Sequence, residues 1–138
     1  MEPVAVTVKL TTAIEGEDTI TASYDGLLRV QGSCLTISYT EENEGVRTST
    51  LLTVGDGEMS LTRRGGVTFS TVYRVGAPFA SRYSVGGISF DALTETESLT
   101  VLHGVTLPSV DCVYDLTLGG EKRRFSLSLR TLPREVKK

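Results

Sequence analysis

Five tyrosines, Tyr24, Tyr39, Tyr73, Tyr83 and Tyr114, each fall on the apolar phase of an alternating segment. A phenol carried on a buried face needs a hydrogen-bond partner. Arg63 shares its phase with Met59 and Leu61. An inward guanidinium near phenols suits a carboxylate or another anionic headgroup, because its planar fork donates to two oxygens at once. Arg63, Tyr73, Tyr83, Tyr39 and Tyr114 are therefore the expected ligand-binding set, with Arg63 as anchor and the phenols as walls. The plainer expectation competes with it: the tyrosines fill the taper of a small barrel and Arg63 emerges into water at a hairpin end.

Other reactive side chains read as structural. His103 is the sole histidine, and acid–base or metal chemistry would need partners that the sequence does not place beside it. It reads as an exposed loop residue next to Gly104. Cys34 and Cys112 match no metal spacing and read as reduced thiols, with Cys112 a small buried apolar residue. Asp111 and Asp115 lie on one outward face, too far apart along a strand to share a proton. Glu41, Glu42 and Glu44 lack the ligand spacing of a calcium loop and read as a solvated hairpin tip. The basic clusters Arg63-Arg64 and Lys122-Arg123-Arg124 have no aromatic residues interleaved for base stacking. Paired glycines at 65–66, 86–87 and 119–120 are not phosphate loops, since no helix follows them. No catalytic, metal or cofactor constellation is readable, so a non-catalytic protein without cofactor is expected.

The elements that must carry these residues are strands. The chain has 138 residues, which predicts a single domain over 1–138, with an ordered core over about 4–130 and a polar tail over 131–138. Its 14 glycines, abundant Thr, Ser and Val and lack of Trp are what many short strands and tight turns require. A net charge of −3 leaves no electrostatic footprint for nucleic acid. No apolar run approaches 18 residues, and no charged region followed by an apolar stretch opens the chain. A cytoplasmic protein without membrane contact is expected.

Val4, Val6, Val8 and Leu10 alternate with Ala5, Thr7 and Lys9, and the same period of two recurs to Leu129. Turn signals fall about every ten residues, at Gly32-Ser33, Gly55-Asp56-Gly57, Gly76-Ala77-Pro78 and the three Gly-Gly pairs. Asp25-Gly26 reads as a turn or bulge, and Gly65-Gly66 as a tight hairpin. A phase break between Thr94 and Leu99 predicts a bulge near Glu95–Ser98 in a strand running on to His103. The spacing suits nine or ten strands in a sandwich or a barrel, and a closed antiparallel up-and-down barrel is the favoured expectation, because closure removes exposed edges.

Leu35-Thr-Ile-Ser-Tyr-Thr-Glu-Glu, then Ser60-Leu-Thr-Arg-Arg-Gly-Gly-Val, then Tyr114-Asp115 follow in that order. On these motifs the chain resembles the YwiB-like family of uncharacterised bacterial proteins, over about residues 5 to 130. The resemblance implies a calycin-like barrel of about eight to ten strands, related in shape to lipocalins, and no established activity. The expected role is binding of a small apolar or amphipathic ligand inside the barrel. The alternative is an interaction module or homodimer, using a barrel face or an open edge near the first and last strands.

Overall fold

The computed structural model describes residues 3–102 and 107–134. Alternating segments rich in Val, Thr and Leu become ten strands: β1 (Val4–Ile14), β2 (Ile20–Gln31), β3 (Cys34–Asn43), β4 (Val46–Gly55), β5 (Glu58–Gly65), β6 (Val67–Tyr73), β7 (Phe79–Val85), β8 (Ile88–Leu102), β9 (Ser109–Leu118) and β10 (Glu121–Pro133). Each strand pairs antiparallel with the next, and β10 returns to pair with β1 from Ile14↔Phe125 to Val6↔Pro133. The sheet is thus a closed up-and-down barrel of the calycin-like kind. Closure leaves no open edge between the first and last strands, so the edge expected there does not exist. Among the described residues no helix is long and apolar enough to cross a membrane.

The expected bulge is present, as a register shift between Thr96 and Ser98 in β8. Gly86-Gly87 and Gly119-Gly120 make two-residue turns with positive φ at both positions, the hairpin geometry that matches strand twist. Three local expectations are corrected. Asp25-Gly26 is neither turn nor bulge: β2 runs straight through it in unbroken register with β1. Glycine stands there because a Cβ would lie 2.7 Å from Val8 Cγ2 and 2.8 Å from the Ser38 carbonyl oxygen. Gly65-Gly66 is not a tight hairpin either, since the nearest β5–β6 pair is Arg63↔Phe69. Gly65 instead presses against the β4 backbone at Arg47 and Gly66 against the Val46 side chain, and the Gly66 N–H donates to the Arg47 carbonyl at 3.1 Å. Finally, the predicted tail begins inside β10. Thr131 is buried, and its hydroxyl donates to the Pro108 carbonyl at 2.6 Å. His103 lies outside the described residues.

One face of every strand turns inward. At one end of the barrel Val6, Val8, Ile37, Met59, Val110 and Leu129 have no exposed surface. Farther along the interior the buried Thr71 and Thr94 hydroxyls satisfy each other at 2.6 Å. The opposite end is looser. β2 pairs with β3 only from Gly26↔Tyr39 onward, so Ile20–Asp25 has no β3 partner. Inward-phase residues at this mouth, including Ile20, Val85 and Ile88, are exposed.

Candidate ligand site at the barrel mouth

Register sets the site's first row. Tyr39 lies opposite Thr50, Thr50 opposite Arg63, Arg63 opposite Phe69, and Phe69 opposite Tyr83. All five side chains face inward near the mouth. Glu41, two residues beyond Tyr39, keeps the same phase. Arg63 Nη2 donates to Glu41 Oε2 at 2.7 Å, and both side chains are only 23% exposed. The partners sit on β5 and β3, two strand spacings or roughly 9–10 Å apart. Between them β4 presents Thr48 and Thr50 inward, and these short side chains let the guanidinium cross.

This ion pair was not legible from composition. Glu41 was expected in a solvated acidic tip with Glu42 and Glu44. Those two are exposed, but Glu41 is not. The usable signal was the alternation itself, since Leu35, Ile37, Tyr39 and Glu41 form one uninterrupted phase.

Beneath the pair lies a cavity of about 200 Å³. Leu10, Leu52, Leu61, Phe125 and Leu127 make its apolar wall, and Tyr39, Tyr73 and Tyr114 add phenols. Outside it is an open vestibule of about 550 Å³, bordered by Val46, Thr48, Val67 and Val85 and by the backbone at Gly65-Gly66. Arg63 and Glu41 line both spaces, so the ion pair stands at the neck between them. A larger concavity of about 740 Å³ is a groove on the outer face of β2–β5, over Ser38, Ser49, Leu51 and Thr62. Tyr39 also borders it, with Asp25, Arg64 and Arg134, but neither Arg63 nor Glu41 does.

The aromatic rings brace one another. Tyr24 stacks on Tyr39 with centroids 5.0 Å apart. Tyr73 meets Tyr114 edge-on at 4.7 Å, and Tyr114 stacks on Phe125 at 5.2 Å. Burial is the main reason that the Tyr39 and Tyr73 phenols titrate above their ordinary range and that Tyr114 is pushed up to about 12. Tyr24, beside Glu41, is raised by burial first and by that carboxylate second. These phenols are neutral at physiological pH and so can each donate a hydrogen bond.

The structure therefore brings Arg63, Tyr39, Tyr73 and Tyr114 to one cavity. Tyr83 stands apart: its ring packs on Phe69 at 5.2 Å and borders neither space. Arg63 does not emerge into water as the plainer expectation had it. The two basic clusters do not merge. Arg63 turns inward, Arg64 lies on the outer face, and carboxylates surround the other cluster. Lys122 faces Glu95 at 3.6 Å, Arg123 binds Glu121 at 2.8 Å as well as Glu17, and Arg124 binds Glu97. Asp111 is held by Arg130 at 3.1 Å, and Asp115 lies 3.7 Å from Arg124. Both cysteines are free thiols, and burial pushes Cys112 up to about 12. Among the described residues no group of three or more His, Cys, Asp or Glu could hold a metal.

The crystal structure of the ywiB protein from Bacillus subtilis has a similar fold. It superposes with a TM-score of 0.74 at 21% identity, covering 93% of this chain and 90% of that one. No curated protein matches the sequence. A family profile described as a domain of unknown function, DUF1934, matches residues 6–129. That span runs from β1 into β10 and takes in the whole mouth, so the chain belongs to the DUF1934 family.

Proposed function

We propose that this barrel binds a small amphipathic ligand at its mouth, without chemical turnover, as a cytoplasmic protein. One observation carries the reading: a half-buried ion pair, Arg63–Glu41, borders both an inner cavity of about 200 Å³ and an outer vestibule. Barrel interiors of this size are commonly filled by their own side chains. Here Val6, Val8, Ile37, Met59, Val110 and Leu129 fill the interior towards the other end, where a concavity of about 310 Å³ beside Leu35 and Val54 is bordered by no arginine and no phenol, while the mouth keeps space beside hydrogen-bonding groups. Concave apolar space with a few convergent polar groups is the usual character of a ligand site. The apolar body of the ligand would lie against Leu10, Leu61 and Leu127, with its polar group at Arg63 and Glu41.

Native mass spectrometry of the purified protein tests this. A co-purified small molecule, lost in Arg63→Ala, is the expected result. An empty wild-type monomer that also takes up no amphipathic compound from a test panel would overturn it.

A second reading rests on a separate observation. Ile20 and Ile88 are 61% and 60% exposed, and Val85 and Phe90 are also exposed, near the same mouth. Apolar exposure of this kind suits an interface between two copies. The same spectra decide, since a dimer is read directly from the mass. A stable dimer would be expected to bury roughly 800 Å² on each partner.

A further inference from the structure

We infer that the mouth selects a ligand of zero net charge whose polar group both donates and accepts hydrogen bonds, as a carboxamide does, over a carboxylate of the same shape. The inference rests on the ligand-binding reading above and names the ligand's chemical class. Arg63 and Glu41 are the charged side chains bordering the cavity and the vestibule, and their charges cancel. An anionic ligand would have to take the remaining N–H groups of Arg63 beside the Glu41 carboxylate. That would leave two carboxylates sharing one guanidinium in a partly desolvated neck, where like charges repel strongly.

A carboxamide meets no such conflict. The ion pair uses Arg63 Nη2 and Glu41 Oε2. A guanidinium has five N–H donors and a carboxylate has two acceptor oxygens, so each partner keeps capacity. The amide oxygen accepts from Arg63 while its NH₂ donates to Glu41, and the ion pair stays closed. The surrounding phenols are neutral donors and add no charge. Size sets a second limit. A dry engineered cavity of about 150 Å³ takes one benzene ring, so a space of about 200 Å³ suits a single ring with one small substituent. Any longer apolar part would have to remain in the vestibule over Val46, Val67 and Val85.

Benzamide, benzoate and benzamidine share one shape and carry charges of zero, minus one and plus one. Their affinities for the wild-type protein, measured by calorimetric titration with tyrosine NMR shifts as a locator, test the inference. Benzamide is expected to bind about tenfold more tightly than either charged analogue. Glu41→Gln is expected to turn the preference to benzoate, and Arg63→Gln to benzamidine. Equal or tighter binding of benzoate by the wild type would overturn the selectivity while leaving the pocket reading intact. Failure of all three to bind or to shift the Tyr39, Tyr73 or Tyr114 signals would overturn both.

Discussion

At the closed end of the barrel, Val6, Val8, Ile37, Met59, Val110 and Leu129 meet with no exposed surface. At the mouth the same strands present Leu10, Tyr24, Glu41, Leu61, Arg63 and Phe125, all only partly buried. The alternation is identical, so the difference lies in side-chain type and in how tightly neighbouring strands are paired. Short β-branched and aliphatic residues pack to high density and leave no room for water. Tyr, Arg and Glu carry an apolar stem and a polar tip, and such side chains tolerate a wet opening. The strands cooperate: β2 and β3 part company beyond Gly26 and Tyr39, so the mouth is split where Tyr24 and Glu41 sit. One strand pattern thereby builds a stabilising plug and a candidate binding site within a single sheet.

If the two ends differ in this way, truncation should separate them. Ile37→Ala at the closed end is expected to cost about 2–5 kcal/mol by urea unfolding, because the cavity it leaves has no route to solvent. Leu127→Ala at the mouth should cost less than half as much. Equal losses would break the comparison.

The aromatic floor between the ends offers a pH test. An acidic group whose folded pKa is raised leaves stability intact below its unfolded pKa and removes it as pH rises towards the folded one. Tyr114 is raised from 10.0 to about 12. Its share of stability should therefore hold below pH 10 and fall by about 2–3 kcal/mol across the window from 10 to 12. Urea melts across that range, paired with tyrosinate absorbance, check this; Tyr114→Phe should remove its share and leave the part of the decline that belongs to Tyr39 and Tyr73.

Gly26 marks the point where the mouth begins to split. Gly26→Ala is expected to cost about 1–3 kcal/mol, since the new methyl would meet Val8 and the Ser38 carbonyl. Thermal melting with no change would mean that β1 and β3 yield there more easily than close packing allows.

The smallest effect belongs to the ion pair. A double-mutant cycle on Arg63→Met and Glu41→Gln should give a coupling of about 1 kcal/mol that shrinks as salt is added. A coupling as large as the closed-end truncation would place the pair in the core rather than at the neck.

Much of this architecture was readable in the chain. Period-two alternation marked the strands, the Gly-Gly pairs at 86–87 and 119–120 marked turns, and the phase break before Leu99 marked the bulge. The inward phase also gathered Arg63, Tyr39, Tyr73 and Tyr114 correctly onto one surface. It could not show that Tyr83 would spend its ring on Phe69. The remaining differences share a cause: residue type alone points to an acidic tip at Glu41 and turns at Gly26 and Gly65-Gly66, whereas each is explained by a neighbouring strand. Gly26 is small because β1 and β3 converge on it, and Glu41 turns inward because Arg63 waits there.

The sequence by itself determined which face of each strand is apolar and where most strands end. Those properties are local, set by the two-residue repeat and by residues that tolerate positive φ. Tertiary structure alone decided that β10 closes onto β1, and that Arg63 reaches Glu41 over 22 residues of chain and across β4. It also decided that space survives beneath that pair. Closure, register and residual volume depend on how all ten strands tilt and pack together, and no single segment carries that information.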